Sequence, residues 1–389
     1  KVIRGQYNSR LWPFRPGGKL VTRTTTLFTR VKRKKGMESH CVRVGTVIID
    51  IKKVIPIVLV MGFFLGRLEA AKPVENPKLS SKFYAKLSVS VVKILAPAGE
   101  KLYAGSGVVV GLDEVLTNCH VVRRSKRITV MKGALRFPVE SQKIDIFKDL
   151  CLLKAPTLRL PPVELRDPKD LTVGNHAYFY GYPGGADAFF TEGRVSALHP
   201  YQDSVVIKTT AGFSSGGSGG GLFDSFGRLV GITTFFSASH SGGYYALPSD
   251  WLHDLRKREG KKIAPINGLA LWEKSVSEQP EFLQFSRYIE SGNLKSALET
   301  SKGWINSEPN NFDSWLSYGK TLYNLGQTKE AKKALEKALS YSPFDANILF
   351  AMVNVLNKFG DDVALQRYRE VLKKVDPQGV AEGNCIMAC

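Results

Sequence analysis

The chain has 389 residues and a formal net charge of +20, but eleven of those charges come from residues 1–37, which contain no Asp or Glu, leaving +9 across the other 352. Charge so concentrated, with no groove-reading motif beside it, sets nucleic-acid recognition aside. Five cysteines do not make a disulfide framework in this length, and neither a metal-ligand spacing nor a phosphate-binding glycine motif is present, so no metal and no cofactor is expected.

The basic start ends in Lys32-Arg33-Lys34-Lys35, a cluster able to touch a membrane surface electrostatically. Lys52-Lys53, the apolar run Val54 to Gly66 and the small-residue stretch Arg67-Leu68-Glu69-Ala70-Ala71 then form the charged, apolar and small-residue order of a secretory signal. The run of 13 residues is short for a spanning helix, which needs about 20. Residues 1–72 are therefore expected to be a basic extension and an export signal, the alternatives being an uncleaved membrane anchor or an organelle transit peptide. A signal opens within a few residues of its lysines, so residues 1 to about 46 are expected to precede the true start.

A strand-like run from Gly107 through Thr117 leads directly into Asn118-Cys119-His120-Val121-Val122. That setting separates His120 from the other five histidines and makes it a candidate base rather than a packed core residue. Asp149 opens the apolar stretch Leu150 to Leu153; Asp145 competes with it from a more polar approach, and Asp149 is favoured because its carboxylate would start a buried strand. Further on comes Gly216-Gly217-Ser218-Gly219-Gly220-Gly221-Leu222. Alone it could be a flexible linker, yet strand-like runs flank it, Val205 to Thr210 before and Arg228 to Thr234 after. A serine hydroxyl needs an imidazole to take its proton and a carboxylate to fix the imidazole's tautomer, so the order His120, Asp149, Ser218 carries the chemistry of nucleophilic catalysis. The glycines allow a tight turn that aims the Gly216 and Ser218 amides at one point, an oxyanion hole.

Residues from about Lys82 to Leu255 resemble the chymotrypsin-like superfamily, most closely its HtrA/Deg-type branch. The matching segments are Gly105-Ser106-Gly107-Val108-Val109-Val110, the Thr117 to Val122 run, Val173-Gly174 through Gly185, Gly193-Arg194-Val195-Ser196-Ala197, the serine turn, and Tyr245-Ala246-Leu247-Pro248. The resemblance implies two six-stranded antiparallel β-barrels with the triad between them, and endopeptidase activity on protein or peptide substrates. It also places Gly212, six residues before the serine, at the base of the primary specificity pocket beside Phe213, with Phe235 and Phe236 on its wall. No carboxylate stands there, so small or medium aliphatic side chains are expected before the scissile bond. Gly217 and Gly221 depart from the family pattern, and each extra glycine costs about 1 kcal/mol of backbone entropy. Cys119 and Cys151 adjoin the triad and are expected as buried thiols, an oxidising compartment being the case that would join them. The PDZ-like region that usually follows such a domain is replaced.

After the polar stretch Arg256 to Lys262, and a linker expected over 261–277, a period of 34 residues begins: Gly292, Gly326 and Gly360 repeat at that interval, as do Pro309, Pro343 and Pro377. The middle copy, Trp315-x-x-Tyr318-Gly319-x-x-Leu322 followed by Ala331-x-x-x-Leu335-x-x-Ala338-x-x-x-x-Pro343, resembles the tetratricopeptide pattern. The third copy has Leu365 where a small residue is expected. The expectation is a multidomain β + α chain: trypsin-like barrels over 80–260, an all-α tetratricopeptide solenoid of three repeats over 278–377 that folds independently and offers a groove to a peptide or protein partner, a structural spacer being the alternative, and a tail over 378–389. The corresponding function is an exported serine endopeptidase, a binding scaffold without turnover being the alternative.

Overall fold

The computed structural model describes residues 81–185, 187–236 and 243–377, all within a unit that begins at Glu75. The expected extension and signal, Cys41, Cys385, Cys389, the tail and the side chain of Phe236 lie outside the described residues. No helix among the described residues is long and apolar enough to cross a membrane.

Helix α1 (Ser81–Ser90) precedes β1 (Val91–Ala98), β2 (Lys101–Val109) and β3 (Glu114–Asn118), which runs into the single turn α2 (Cys119–Val122). Strands β4 (Thr129–Lys132), β5 (Leu135–Pro138), β6 (Ser141–Asp145) and β7 (Leu150–Lys154) complete the first half. The second half comprises β8 (His176–Gly181), β9 (Phe189–Tyr201), β10 (Ser204–Thr209), β11 (Gly221–Phe223), β12 (Leu229–Phe236) and β13 (Tyr244–Pro248), followed by α3 (Leu252–Lys257) and β14 (Lys261–Lys262).

Strands β8 to β13 close into a six-stranded barrel in the order β10-β13-β12-β11-β8-β9, whereas the first half is an open eight-stranded sheet, β14-β6-β7-β3-β2-β1-β4-β5. The expected pair of closed barrels is thus corrected to one barrel and one sheet. The edges explain the difference. At one end β5 has four mostly exposed residues and finishes at Pro138, which has no N–H to donate; at the other β14 is two exposed residues long.

The uninterrupted apolar run of β7 has a simple reason: side chains alternate across a strand, and both faces are covered. Leu150 and Leu152 join the large core shared with the barrel, while Cys151 and Leu153 join the core inside the sheet. Register pairs Thr117 with Cys151, which brings Cys119 to a Cα separation of 4.9 Å, and the two cysteines form a disulfide. That separation lies inside the range a bridge requires. Buried thiols were expected; spacing of 32 residues in sequence gave no sign that β3 and β7 are neighbours.

Six helices complete the described chain: α4 (Glu281–Glu290), α5 (Leu294–Ser307), α6 (Phe312–Asn324), α7 (Thr328–Tyr341), α8 (Ala346–Phe359) and α9 (Asp362–Val375). The period of 34 is the period of their ends. Gly292, Gly326 and Gly360 take φ of 71°, 79° and 72° in the turn inside each helix pair, a left-handed conformation that glycine enters without a Cβ penalty. Asn293, Asn311, Asp345 and Asp361 cap helices with side-chain oxygens that accept backbone N–H bonds. Leu365, out of pattern, is buried on the last helix.

The helices do not stand apart from the barrel. Phe282, Leu283 and Trp304 belong to the same buried cluster as Val206, Ile232, Tyr245 and Leu247 of the barrel, and Ala197 of β9 belongs to the cluster of the later helices. His199 of β9, fully buried, stacks on Phe282 with ring centroids 4.2 Å apart. Lys208 of β10 reaches Asp313 of α6 at 3.1 Å. Residues 261–277 are tied down as well: β14 pairs with β6, the Ile266 amide donates to the Arg123 carbonyl, and the Leu271 amide to that of Phe147.

Candidate active site

His120 is held by the element it starts from. The turn α2 begins where β3 ends, and the carboxylate of Asp149 binds it twice, accepting the His120 backbone N–H at 2.9 Å on Oδ1 and standing 2.6 Å from Nδ1 on Oδ2. Asp149 is itself fully buried with φ of 52°, a strained conformation for a residue with a Cβ. Three bonds impose it: the Asp149 carbonyl accepts the Cys119 amide at 3.1 Å and the Asn118 side chain at 3.0 Å, and its own amide donates to the Ile146 carbonyl at 3.1 Å. Asp145, the competing acid, is turned away and pairs with Arg258.

Ser218 lies on the turn between β10 and β11 and lines one cavity with His120 and Gly216, about 470 Å³ in volume. Its Oγ donates to the Thr234 carbonyl at 3.0 Å. Staggered rotation about χ1 is the motion available to redirect it toward the imidazole. Ser106 locks the turn to the sheet: its amide donates to the Ser218 carbonyl at 2.9 Å and its hydroxyl to the Gly216 carbonyl at 3.2 Å.

The amides of Gly216 and Ser218 have no acceptor among the described residues. The Ser215 carbonyl accepts the Gly184 amide at 2.8 Å, and because a trans peptide points its carbonyl and N–H in opposite directions, the Gly216 N–H is turned away from Gly184. Gly216 has φ of 88°, and a Cβ there would meet the Gly184 nitrogen at 2.0 Å, so the peptide stands in this orientation only as glycine.

Of the four residues expected at the specificity pocket, Phe213 and Phe235 line the cavity. Gly212 does not; the Tyr244 ring lies 3.2 Å from where its Cβ would be. Phe213 packs at 5.1 Å on that ring, and Phe235 stacks at 4.9 Å on Tyr245.

Sequence reading missed one wall of the cavity entirely. Helix α4 presents Leu283, Ser286, Arg287 and Glu290, one face at helical spacing, with Arg287 and Glu290 paired at 3.5 Å. Before it, Trp272 donates its indole N–H to Asp149 Oδ2 at 3.1 Å and sets its ring edge-on to His120, centroids 5.3 Å apart. Its neighbour Glu273 holds Arg123 through two bonds of 2.6 Å. Burial would raise the Glu273 carboxyl, but the Arg123 bonds, the Ala270 amide and the charge of Arg123 together hold it below its usual range. The available signal was the apolar run Leu269-Ala270-Leu271-Trp272, which marks residues that pack but not what they pack against.

Residues 105–232 match the trypsin-like peptidase domain family, and residues 312–345 the tetratricopeptide repeat. The chain is 33% identical over 184 residues to Protease Do-like 1, chloroplastic, of Arabidopsis thaliana, covering 42% of each protein. It is 32% identical over 176 residues to the serine protease Rv3671c of Mycobacterium tuberculosis, covering 41% of this chain and 44% of that one. The chain thus spans about half or less of the curated relatives it matches. Among solved structures, the active form of the Rv3671c protease aligns with a TM-score of 0.43 at 26% identity, over 48% of this chain and 87% of that one. The HtrA-type protease AlgW with tripeptide aligns with a TM-score of 0.41 at 25% identity, over 45% and 62%. Residues 105–232 are thus similar to a trypsin-like peptidase domain, with HtrA/Deg-type serine proteases among the relatives, and a tetratricopeptide match follows in the helices.

Proposed function

We propose that this chain is a serine endopeptidase in which Ser218 attacks the scissile carbonyl, His120 takes and returns the proton, Asp149 orients the imidazole, and the Gly216 and Ser218 amides hold the developing oxyanion. The observation that carries the reading is the doubly bound His120–Asp149 pair, whose imidazole faces the same cavity as Ser218 and the two acceptor-free amides. A buried carboxylate fixes which ring nitrogen carries the proton, leaving the other as base. The alternative, a protease-like scaffold, draws on the bond from Ser218 Oγ to the Thr234 carbonyl, which keeps the hydroxyl off the base. A fluorophosphonate probe decides between them. Labelling of the wild type and not of Ser218→Ala, with casein hydrolysis falling by several orders of magnitude in the variant, is expected; a variant with wild-type turnover overturns the assignment.

The cavity's aromatic wall of Phe213, Phe235 and Tyr245 supports cleavage after small or medium aliphatic residues. A peptide library cut mainly after Arg or Lys would refute that preference. Export of the protein is supported by the Cys119–Cys151 disulfide, since such bonds persist in oxidising compartments, and by relatives from Halomonas elongata and Pseudomonas putida whose names place them in the periplasm.

A further inference from the structure

We propose that Trp272 is a positioning residue for the triad, and that it ties the geometry of Asp149 and His120 to the first repeat helix; the idea rests on the protease reading above. Asp149 is fully buried, and Oδ2, the oxygen that faces His120 Nδ1, accepts its other bond from the Trp272 indole at 3.1 Å. Oδ1 is already held by the His120 backbone N–H, and the indole adds a third donor, on Oδ2 itself, from outside the segment that carries the imidazole, so the carboxylate plane is braced from a second side. The indole also closes one side of His120 edge-on, so ring and carboxylate are held by the same side chain.

Trp272 is in turn fixed by residues C-terminal to it and by the barrel. Its carbonyl accepts the Gln279 side chain at 3.1 Å and Arg287 of α4 at 3.4 Å, and its ring lies 6.0 Å from that of Phe235. Glu273 anchors the same turn to Arg123, three residues beyond His120. The helix that walls the cavity and the tryptophan that steadies the acid are therefore joined through the Trp272 carbonyl.

Trp272→Phe keeps a ring and removes the donor, and site-specific replacement by the isosteric benzothienylalanine removes only the N–H. Both are read on a short peptide with active-site titration, alongside the proton resonance of His120 Nδ1. Loss of a bond to a buried charged group should lower kcat roughly ten- to hundredfold with KM changed less than about twofold, and should move the Nδ1 resonance. Unchanged kcat in the benzothienylalanine protein, or a raised KM with kcat intact, would overturn the proposal, the latter making Trp272 only a substrate wall. If the Phe variant fails to fold, the isostere decides. Failure of the protease reading itself shows separately, as a wild type that neither labels nor turns over, and the resonance then still tests the contact.

Discussion

His199 is enclosed on every side, its ring against Phe282 and near Trp304, with Asp313 at 3.8 Å and Lys208 of the neighbouring strand close by. Burial pushes its pKa down from 6.5 to about 3; Asp313 opposes the shift and Lys208 adds to it. The folded protein thus keeps a neutral imidazole while the unfolded chain binds a proton below its ordinary pKa. Stability from this residue is present above about pH 6.5 and is lost as pH falls, at up to about 1.4 kcal/mol per pH unit. His199→Phe retains the stack on Phe282 and removes the proton. We expect its melting temperature to fall less than that of the wild type between pH 7 and pH 5, and equal slopes would refute the assignment. Asp250, Glu308 and Asp345, raised by burial, titrate in the opposite sense and are common to both proteins. At this scale the sequence was most readable where chemistry demands a residue type in a local setting: His120 after its strand, Ser218 among glycines. It was mute on Trp272, because a single indole bond across 123 residues has no local signature.

At the scale of elements, the 34-residue period announced every helix pair, since helix caps and turn glycines are local requirements. What it could not announce was where the first pair docks. Phe282, Leu283 and Trp304 look like ordinary inner positions of a repeat, yet they complete the core of the barrel. This shared core speaks against an independently folding solenoid behind a linker, and truncation tests it. A chain ending after Lys262 would uncover Phe235 and Tyr245 of the barrel and lose Trp272 and Glu273. We expect it to bind a hydrophobic dye, melt well below the full chain and lose cleavage of short peptides, the last because the triad loses a support. Retention of full-chain kcat on a short peptide would show that the barrel and sheet suffice. Strand count was similarly half legible: alternation marked the strands, but closure depends on edges, and edges are a property of pairing.

On the scale of the whole molecule, a buried charge pair spans the junction. Burial alone would lower Lys208, but Asp313 beside it raises it above its ordinary range, and Asp313 is held down by Lys208 although burial would raise it. Removing one member of such a pair leaves the other uncompensated, whereas replacing both costs far less. The junction is therefore specified from both sides, by stacked rings and by charge. Around it lies a cavity of about 210 Å³ between β10 and helices α4, α6 and α8, lined by Lys208, Ser286, Asp313 and Lys320 among others.

The placement of those helices has a consequence for descent. Faces of α4 and α6 that a repeat array could offer to an outside peptide are spent on β9 and β10 of the same chain. A lineage that gained the repeats had to gain apolar barrel positions to match them, and one that discarded the repeats would be left with those positions bare to water. Recombination cutting between the two would thus be selected against in either direction, so barrel and repeats should be inherited as a single cassette.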